Sequence, residues 1–246
     1  MTSTSERKTY GVISTTRSAG AAAKLKNEGS RVVEFPAMFA PAGVDSMAVL
    51  PAIDNFDWTV FPDTFSAVYF VEALLNLGGN PAEMDPLQIC SIGEATADRL
   101  RCFHVHTDLI LQSPADALPA FSDYLGENGL RGLKFLLPQI NGAVSELARA
   151  LADAGAFVTE LPVYQRAAGA KGDLPKLRAL LAGGAIDEFV FCAPADLDNL
   201  LYICETNDIH AVLSGMKAAA ATDQAAILLA GLGLIDFGFG IADFGF

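Results

Sequence analysis

The chain has 246 residues, 52% hydrophobic and 18% charged. That suits one large domain or two of about 100–150 residues with well-buried cores, and it excludes a disordered chain. Its formal net charge of −13 argues against nucleic-acid binding, which needs clustered Lys and Arg, and leaves an anionic ligand to be held locally against an unfavourable global field.

Taken in order, residues 1–8 are polar and lack the apolar stretch of a secretory signal. Residues 10–15 read as a buried strand. Thr16-Arg17-Ser18 leads into an Ala-rich helix ending near Gly29, and 31–35 is a second strand stopped by Pro36. Residues 37–55 read as a connection. Strand 57–61 meets the turn Pro62-Asp63-Thr64, which has N-cap chemistry for a helix over 65–77. Strand 87–92 is followed by a Gly93 turn that opens a helix. Residues 105–111 read as a strand and 113–126 as a capped helix.

The second half repeats the order. Strand 133–137, a turn at 138–142 and a helix over 143–154 lead to a strand carrying Glu160-Leu161-Pro162. Helix 173–183, strand 186–191, the turn 192–196, strand 216–221, the turn 222–226 and helix 227–232 complete it. The segment from Gly155 to Arg166 has a twin from Gly29 to Met38: each follows a helix and carries Glu-apolar-Pro. A repeat this long is not a solenoid. It indicates a duplicated domain whose halves join at the twin segments.

Alternating buried strands and helices argue for α/β lobes with parallel sheets. Their ligand crevice lies at the carboxyl edges of the strands. The loops at 15–18, 62–66, 92–96, 138–142, 192–196 and 221–224 belong there. Most open helices, whose free amides and positive dipole ends suit a polycarboxylate.

Cys90, Cys102, Cys192 and Cys204 form no CxxC pair and read as reduced, mostly buried thiols of a cytoplasmic protein. His104-Val105-His106 would place two imidazoles on one strand face. No third ligand group joins them, so no metal is expected. The stretch 225–246 carries Asp236, Asp243 and several glycines and is a poor membrane span.

Several motifs recur at a joint spacing. They are Thr16-Arg17 after the first strand, Gly29…Val32…Pro36, and Ile92-Gly93-Glu94-Ala95-Thr96-Ala97. Further on come Leu151…Gly155…Val158…Val163-Tyr164, Ile186-Asp187…Phe191 and Gly233-Leu234. In this order, over nearly the whole chain, they resemble the uroporphyrinogen-III synthase family. The resemblance implies an α/β fold of two similar lobes with parallel sheets flanked by helices, joined by a two-strand linker. Lobe one would hold 1–34 and 168–246, lobe two 46–160, and the linker strands 35–45 and 161–167. The implied substrate is the linear tetrapyrrole hydroxymethylbilane, cyclised with loss of hydroxyl and inversion of ring D through a spiro intermediate. No cofactor is implied. The expected protein is a cytoplasmic monomer with no nucleic-acid or membrane partner.

The resemblance maps the proton donor onto Tyr164; a packed linker aromatic is the other reading. Arg17 either meets a substrate carboxylate or caps and pairs on the surface. Thr96 either donates to a carboxylate or satisfies backbone early in its helix. Thr16, Thr64, Ser66, Gly93, Gln139, Asn141, Ala193 and Thr222 complete the expected substrate-binding set.

The chain departs from the family pattern in several loops. Pro62-Asp63 stands where Thr-Ser is usual, Ala193 replaces Ser, and Gln139 replaces a frequent Arg. Thr222-Asp223-Gln224-Ala225-Ala226 replaces a second Gly-x-x-Thr-Ala turn. A closing polar helix is missing from the Phe/Gly-rich tail. A non-catalytic two-lobe homologue, binding another ligand or a protein, is the second reading of these changes. An unrelated α/β binding module, such as a two-lobe solute receptor, is the third.

Overall fold

A computed structural model describes residues 7–43, 50–126, 129–168 and 172–235. The expectations for the N-terminal polar stretch before Arg7, the middle of the 37–55 connection, and the tail from Asp236 lie outside the described residues.

The elements run β1 (Thr9–Ser14), α1 (Ser18–Asn27), β2 (Arg31–Pro36), β3 (Phe39–Pro41), β4 (Trp58–Phe61), α2 (Thr64–Asn76), β5 (Gln88–Ile92) and α3 (Glu94–Cys102). They continue with β6 (Leu109–Leu111), α4 (Ala117–Leu125), β7 (Lys134–Ile140), α5 (Glu146–Asp153), β8 (Phe157–Arg166) and α6 (Leu174–Ala182). The last are β9 (Glu188–Phe191), α7 (Ala195–Cys204), α8 (Ile209–Val212), β10 (Lys217–Ala220) and α9 (Asp223–Gly231). The fold is α/β, with parallel sheets flanked by helices. It divides into two compact units, one reaching Phe39 and resuming at Ala167, the other running from Ala40 to Arg166.

The first unit is built on a four-stranded sheet ordered β10-β9-β1-β2, with parallel pairing throughout. Strands covered on both faces need continuous apolar runs. Val12, Ile13, Phe35, Phe189 and Val190 are fully buried. Ala21, Ala22 and Leu25 of α1 join Val12, Val190 and Ala219 in one core cluster. Gly11 sits opposite Phe189 on β9. A Cβ there would come 2.6 Å from the Phe189 ring, so this strand position is open only to glycine.

The second unit carries a six-stranded sheet ordered β3-β8-β7-β4-β5-β6. Trp58 is its core anchor, edge-on to Phe121 at 4.9 Å and stacked with Phe135 at 6.2 Å. Residues 66–74 of α2 are buried without interruption, as expected of a helix apolar on all sides and covered on more than one face. Residues 161–166, the end of the second twin segment, are strand residues of β8, paired with β7 as far as Tyr164.

Three local expectations are corrected. Residues 104–107 are not strand; β6 begins at Leu109. His104 adopts φ 61°, its amide donates to the Arg101 carbonyl, and the Val105 amide donates to Leu100. This is a Schellman cap on α3 with histidine at the left-handed position. It removes the strand that would have aligned the two imidazoles. Residues 138–140 belong to β7, not to a turn. Pro138 is tolerated because β7 pairs with β4 only at Phe135 and Leu136, leaving one side without a ladder there. The final helix begins at Asp223, not at 227, because Thr222 caps it by accepting from the Ala225 amide.

Candidate functional site

Because β10, β9, β1 and β2 pair in parallel in the first unit, and β8, β7, β4, β5 and β6 in the second, the carboxyl ends of each set share one edge. In the second unit that edge gathers Thr64 and Ser66 after β4, Gly93 and Thr96 after β5, Gln139 and Asn141 at the end of β7, and Tyr164 on β8. In the first unit the corresponding edge carries Thr16 and Arg17 after β1, Ala193 after β9 and Thr222 after β10.

Tyr164 is 5% exposed. Its ring stacks with Phe65 at 5.6 Å and with Tyr69 at 5.7 Å, both on α2. Its hydroxyl donates to Asp63 Oδ2 at 2.8 Å. Burial, then the charge and hydrogen bond of Asp63, hold the Tyr164 phenol well above its ordinary pKa, against a smaller opposing effect of Arg166. Asp63 is also the N-cap of α2. Its Oδ1 accepts from the Ser66 amide at 2.6 Å, and Ser66 Oγ donates back to the Asp63 carbonyl at 2.6 Å. Ser66 is therefore engaged in a capping box and fully buried. Thr64 is half-buried in the same first turn.

Thr96 is 2% exposed, and its hydroxyl donates to the Ile92 carbonyl at 2.8 Å. Gly93 takes φ 84° and opens α3 without a side-chain cap. The first turn of α3 is thus one where an outside acceptor meets no capping side chain. Gln139 is buried and its amide nitrogen donates to Glu160 Oε2. Asn141 is exposed, with its backbone amide on the Tyr164 carbonyl at 2.7 Å.

In the first unit, Thr16 and Arg17 are exposed. Ala193 is buried, and its amide and that of Cys192 both donate to Asp196 Oδ2, at 2.9 and 2.7 Å. Asp196 is 1% exposed, so this helix end carries the chain's own carboxylate. Thr222 accepts from Ala225 and donates to the Cys192 carbonyl at 3.2 Å. A cleft of about 690 Å³ lies at the carboxyl ends of β1 and β2 against α6, with Ser14, Glu34, Pro36 and Lys176 in its lining. Glu34 is bound there by Lys26 at 2.5 Å and by Ser14 at 3.3 Å. Among the described residues, no group of three His, Cys, Asp or Glu is placed to hold a metal ion. No helix among them is long and apolar enough to cross a membrane.

Two participants escape the sequence reading in their actual roles. Asp63 is visible there as a cap and as a departure from the family pattern, but its bond to Tyr164 spans 101 positions and leaves no local signal. Asp196 can be found from the apolar run around it, since a carboxylate inside such a run must be satisfied by nearby amides.

A search of curated proteins finds no significant match. Among solved structures, the chain is similar to uroporphyrinogen III synthase from Thermus thermophilus, at 18% identity and TM-score 0.43, over 94% of this chain and 90% of that one. It is also similar to uroporphyrinogen-III synthetase from Helicobacter pylori, at 16% identity and TM-score 0.36, over 92% and 89%. A family model described as uroporphyrinogen-III synthase HemD matches residues 20–235. The chain belongs to the uroporphyrinogen-III synthase family, cyclising lyases of tetrapyrrole biosynthesis.

Proposed function

We infer that this chain is a uroporphyrinogen-III synthase that closes hydroxymethylbilane into the macrocycle with ring D inverted. The observation that carries the reading is the family match over residues 20–235. The chemistry asks for little acid–base power. Hydroxide leaves an electron-rich pyrrole that already stabilises the cation, and one placed donor assists departure by roughly 10²–10⁴-fold. Holding the termini together and orienting ring D supplies the rest.

Tyr164 is the donor in this proposal. Its ring is fixed by two aromatic neighbours on α2, which suits a group that must be placed more than it must be acidic. The turn at Gly93 and Thr96 receives a substrate carboxylate on the open amides of α3. Arg17 and Thr16 receive another, and Gln139, Asn141 and Thr64 complete the polar rim. Ser66, Ala193 and Thr222 support the loops through the caps already described. The chain's two passages between units, after Phe39 and after Arg166, serve as the linker strands. The protein acts as a cytoplasmic monomer; four free cysteines support a reducing compartment.

A second reading is a non-catalytic homologue. Asp63 and Asp196 occupy helix N-termini with the chain's own carboxylates, where a substrate carboxylate would otherwise bind. Freshly prepared hydroxymethylbilane separates the two. Formation of isomer III by the purified protein is expected, and recovery of only the spontaneous isomer I would overturn the enzyme reading.

A further inference from the structure

We propose that Asp63 is a positioning residue for the cyclisation, acting through Tyr164: ionised, it holds the phenol hydrogen and restrains the donor; protonated, it lets the donor act. The proposal rests on Tyr164 being the donor.

The geometry leaves the pair little freedom. The Tyr164 ring is buried against Phe65 and Tyr69, so its hydroxyl can turn only about the C–O bond. It donates to Asp63 Oδ2 at 2.8 Å. Asp63 cannot swing away, because its other oxygen holds the Ser66 amide. Asp63 thus sets an ionisable group directly beside the proposed donor.

The proton balance follows. In the leaving step the C–O bond of the hydroxymethyl group breaks and its electron pair goes to oxygen. That oxygen takes the Tyr164 proton and departs as water. If Asp63 is ionised, Tyr164 becomes a phenolate facing a carboxylate with no proton left between them, and like charges at that distance oppose the step. If Asp63 is protonated, its proton passes to the Tyr164 oxygen as the phenol proton leaves. Tyr164 stays neutral and Asp63 ends as a carboxylate. Ring closure later releases a proton from the terminal pyrrole carbon. The Tyr164 oxygen accepts it and passes its own to Asp63, restoring the start.

The titratable and charged groups on the surrounding elements include Tyr69 and Glu72 of α2, Glu94, Asp98, Arg99 and Arg101 of α3, Lys134 of β7, and Glu160 and Arg166 of β8. Of these, Arg166 favours ionisation of Tyr164 and Tyr69 opposes it. None takes the place of Asp63 on the phenol hydroxyl in the contacts above.

The test is the pH dependence of isomer III formation from hydroxymethylbilane by the wild type, Asp63→Asn and Tyr164→Phe. Asparagine keeps the Oδ1 acceptor for Ser66, turns an amide N–H donor toward the Tyr164 oxygen as a protonated Asp63 would, and cannot ionise; it caps helices as well as aspartate. For the wild type, kcat should rise as pH falls through the Asp63 titration. Asp63→Asn should be flat over that range, with kcat at pH 8 about 10-fold above wild type and KM within about 2-fold. Asp63→Ser, which also caps, guards against a folding defect and should behave as Asp63→Asn does. A wild-type profile shared by both variants overturns the proposal while leaving the enzyme reading intact. Absence of isomer III from the wild type at every pH overturns both.

Discussion

At the scale of single residues, Tyr164 joins two demands that conflict. A buried ring fixed by stacking is well placed, but burial and a carboxylate partner make it a weak acid. Tyr164→Phe removes the proposed donor and leaves the packing. The expected result is a loss of roughly 10²–10⁴-fold in kcat with KM little changed. Loss of the hydrogen bond to a charged partner should cost about 1.5–3 kcal/mol in urea unfolding. Steady-state kinetics checks this, and an unchanged kcat would show that the donor lies elsewhere.

Two buried thiols make a separate statement about pH. Burial pushes Cys90 and Cys192 up to about 12 from an ordinary value of 9.0. Between pH 9 and 12 the unfolded chain has lost these protons and the folded chain has not. The folded state then binds more protons, so stability falls as pH rises through that window and is unaffected by these groups below it. The slope is about 1.4 kcal/mol per pH unit for each thiol. Urea unfolding at pH 8 and pH 10 should show a smaller loss in a Cys90→Ala/Cys192→Ala variant than in the wild type. An equal loss would show that other groups set the alkaline limit.

At the scale of elements, the cap of α3 departs from the usual design. A left-handed C′ position normally holds glycine, and His104 sits there at φ 61°. The conformation costs an L-residue about 1–2 kcal/mol, and glycine returns part of this gain through its greater freedom when unfolded. His104→Gly should therefore stabilise the protein by roughly 0.5 kcal/mol, read as a higher urea midpoint at unchanged slope. A lower midpoint would mean that the imidazole makes a contact worth more than the strain.

The same cap explains what could be read from the chain and what could not. Strands such as Trp58–Phe61 and Glu188–Phe191 announce themselves as short apolar runs bounded by turn residues. Their order fixes the α/β class. Asp63 and Ser113 read as caps because the chemistry is local. The segment after α3 misleads because Val105 is apolar, yet it is buried by folding back under its own helix. Pro138 misleads in the opposite sense, since proline stops a central strand but not one unpaired on that side. At the site, residue types and sheet edge are legible. The Ile92 partner of Thr96 and the Tyr164 partner of Asp63 are not, because hydroxyls and carboxylates choose their partners only once the chain is folded.

At the scale of the whole molecule, charge sets the remaining problem. A protein of net charge −13 must bind a polycarboxylate. Long-range repulsion lowers the rate of encounter and raises KM, while the short-range contacts proposed for the α3 amides and Arg17 act only after contact. Salt separates the two, because it screens charges beyond about 10 Å at 0.1 M and leaves partly buried contacts nearly untouched. If the global field dominates, kcat/KM should rise several-fold between about 10 mM and 150 mM monovalent salt and then level off, with kcat almost constant. If local cations dominate, KM should climb steadily over the same range, as it does where counterions compete for the site. The acidic surface, and the carboxylates already seated at the ends of α2 and α7, favour the first outcome. A climbing KM would show that basic side chains outweigh the global field and do more of the binding than the open amides of α3.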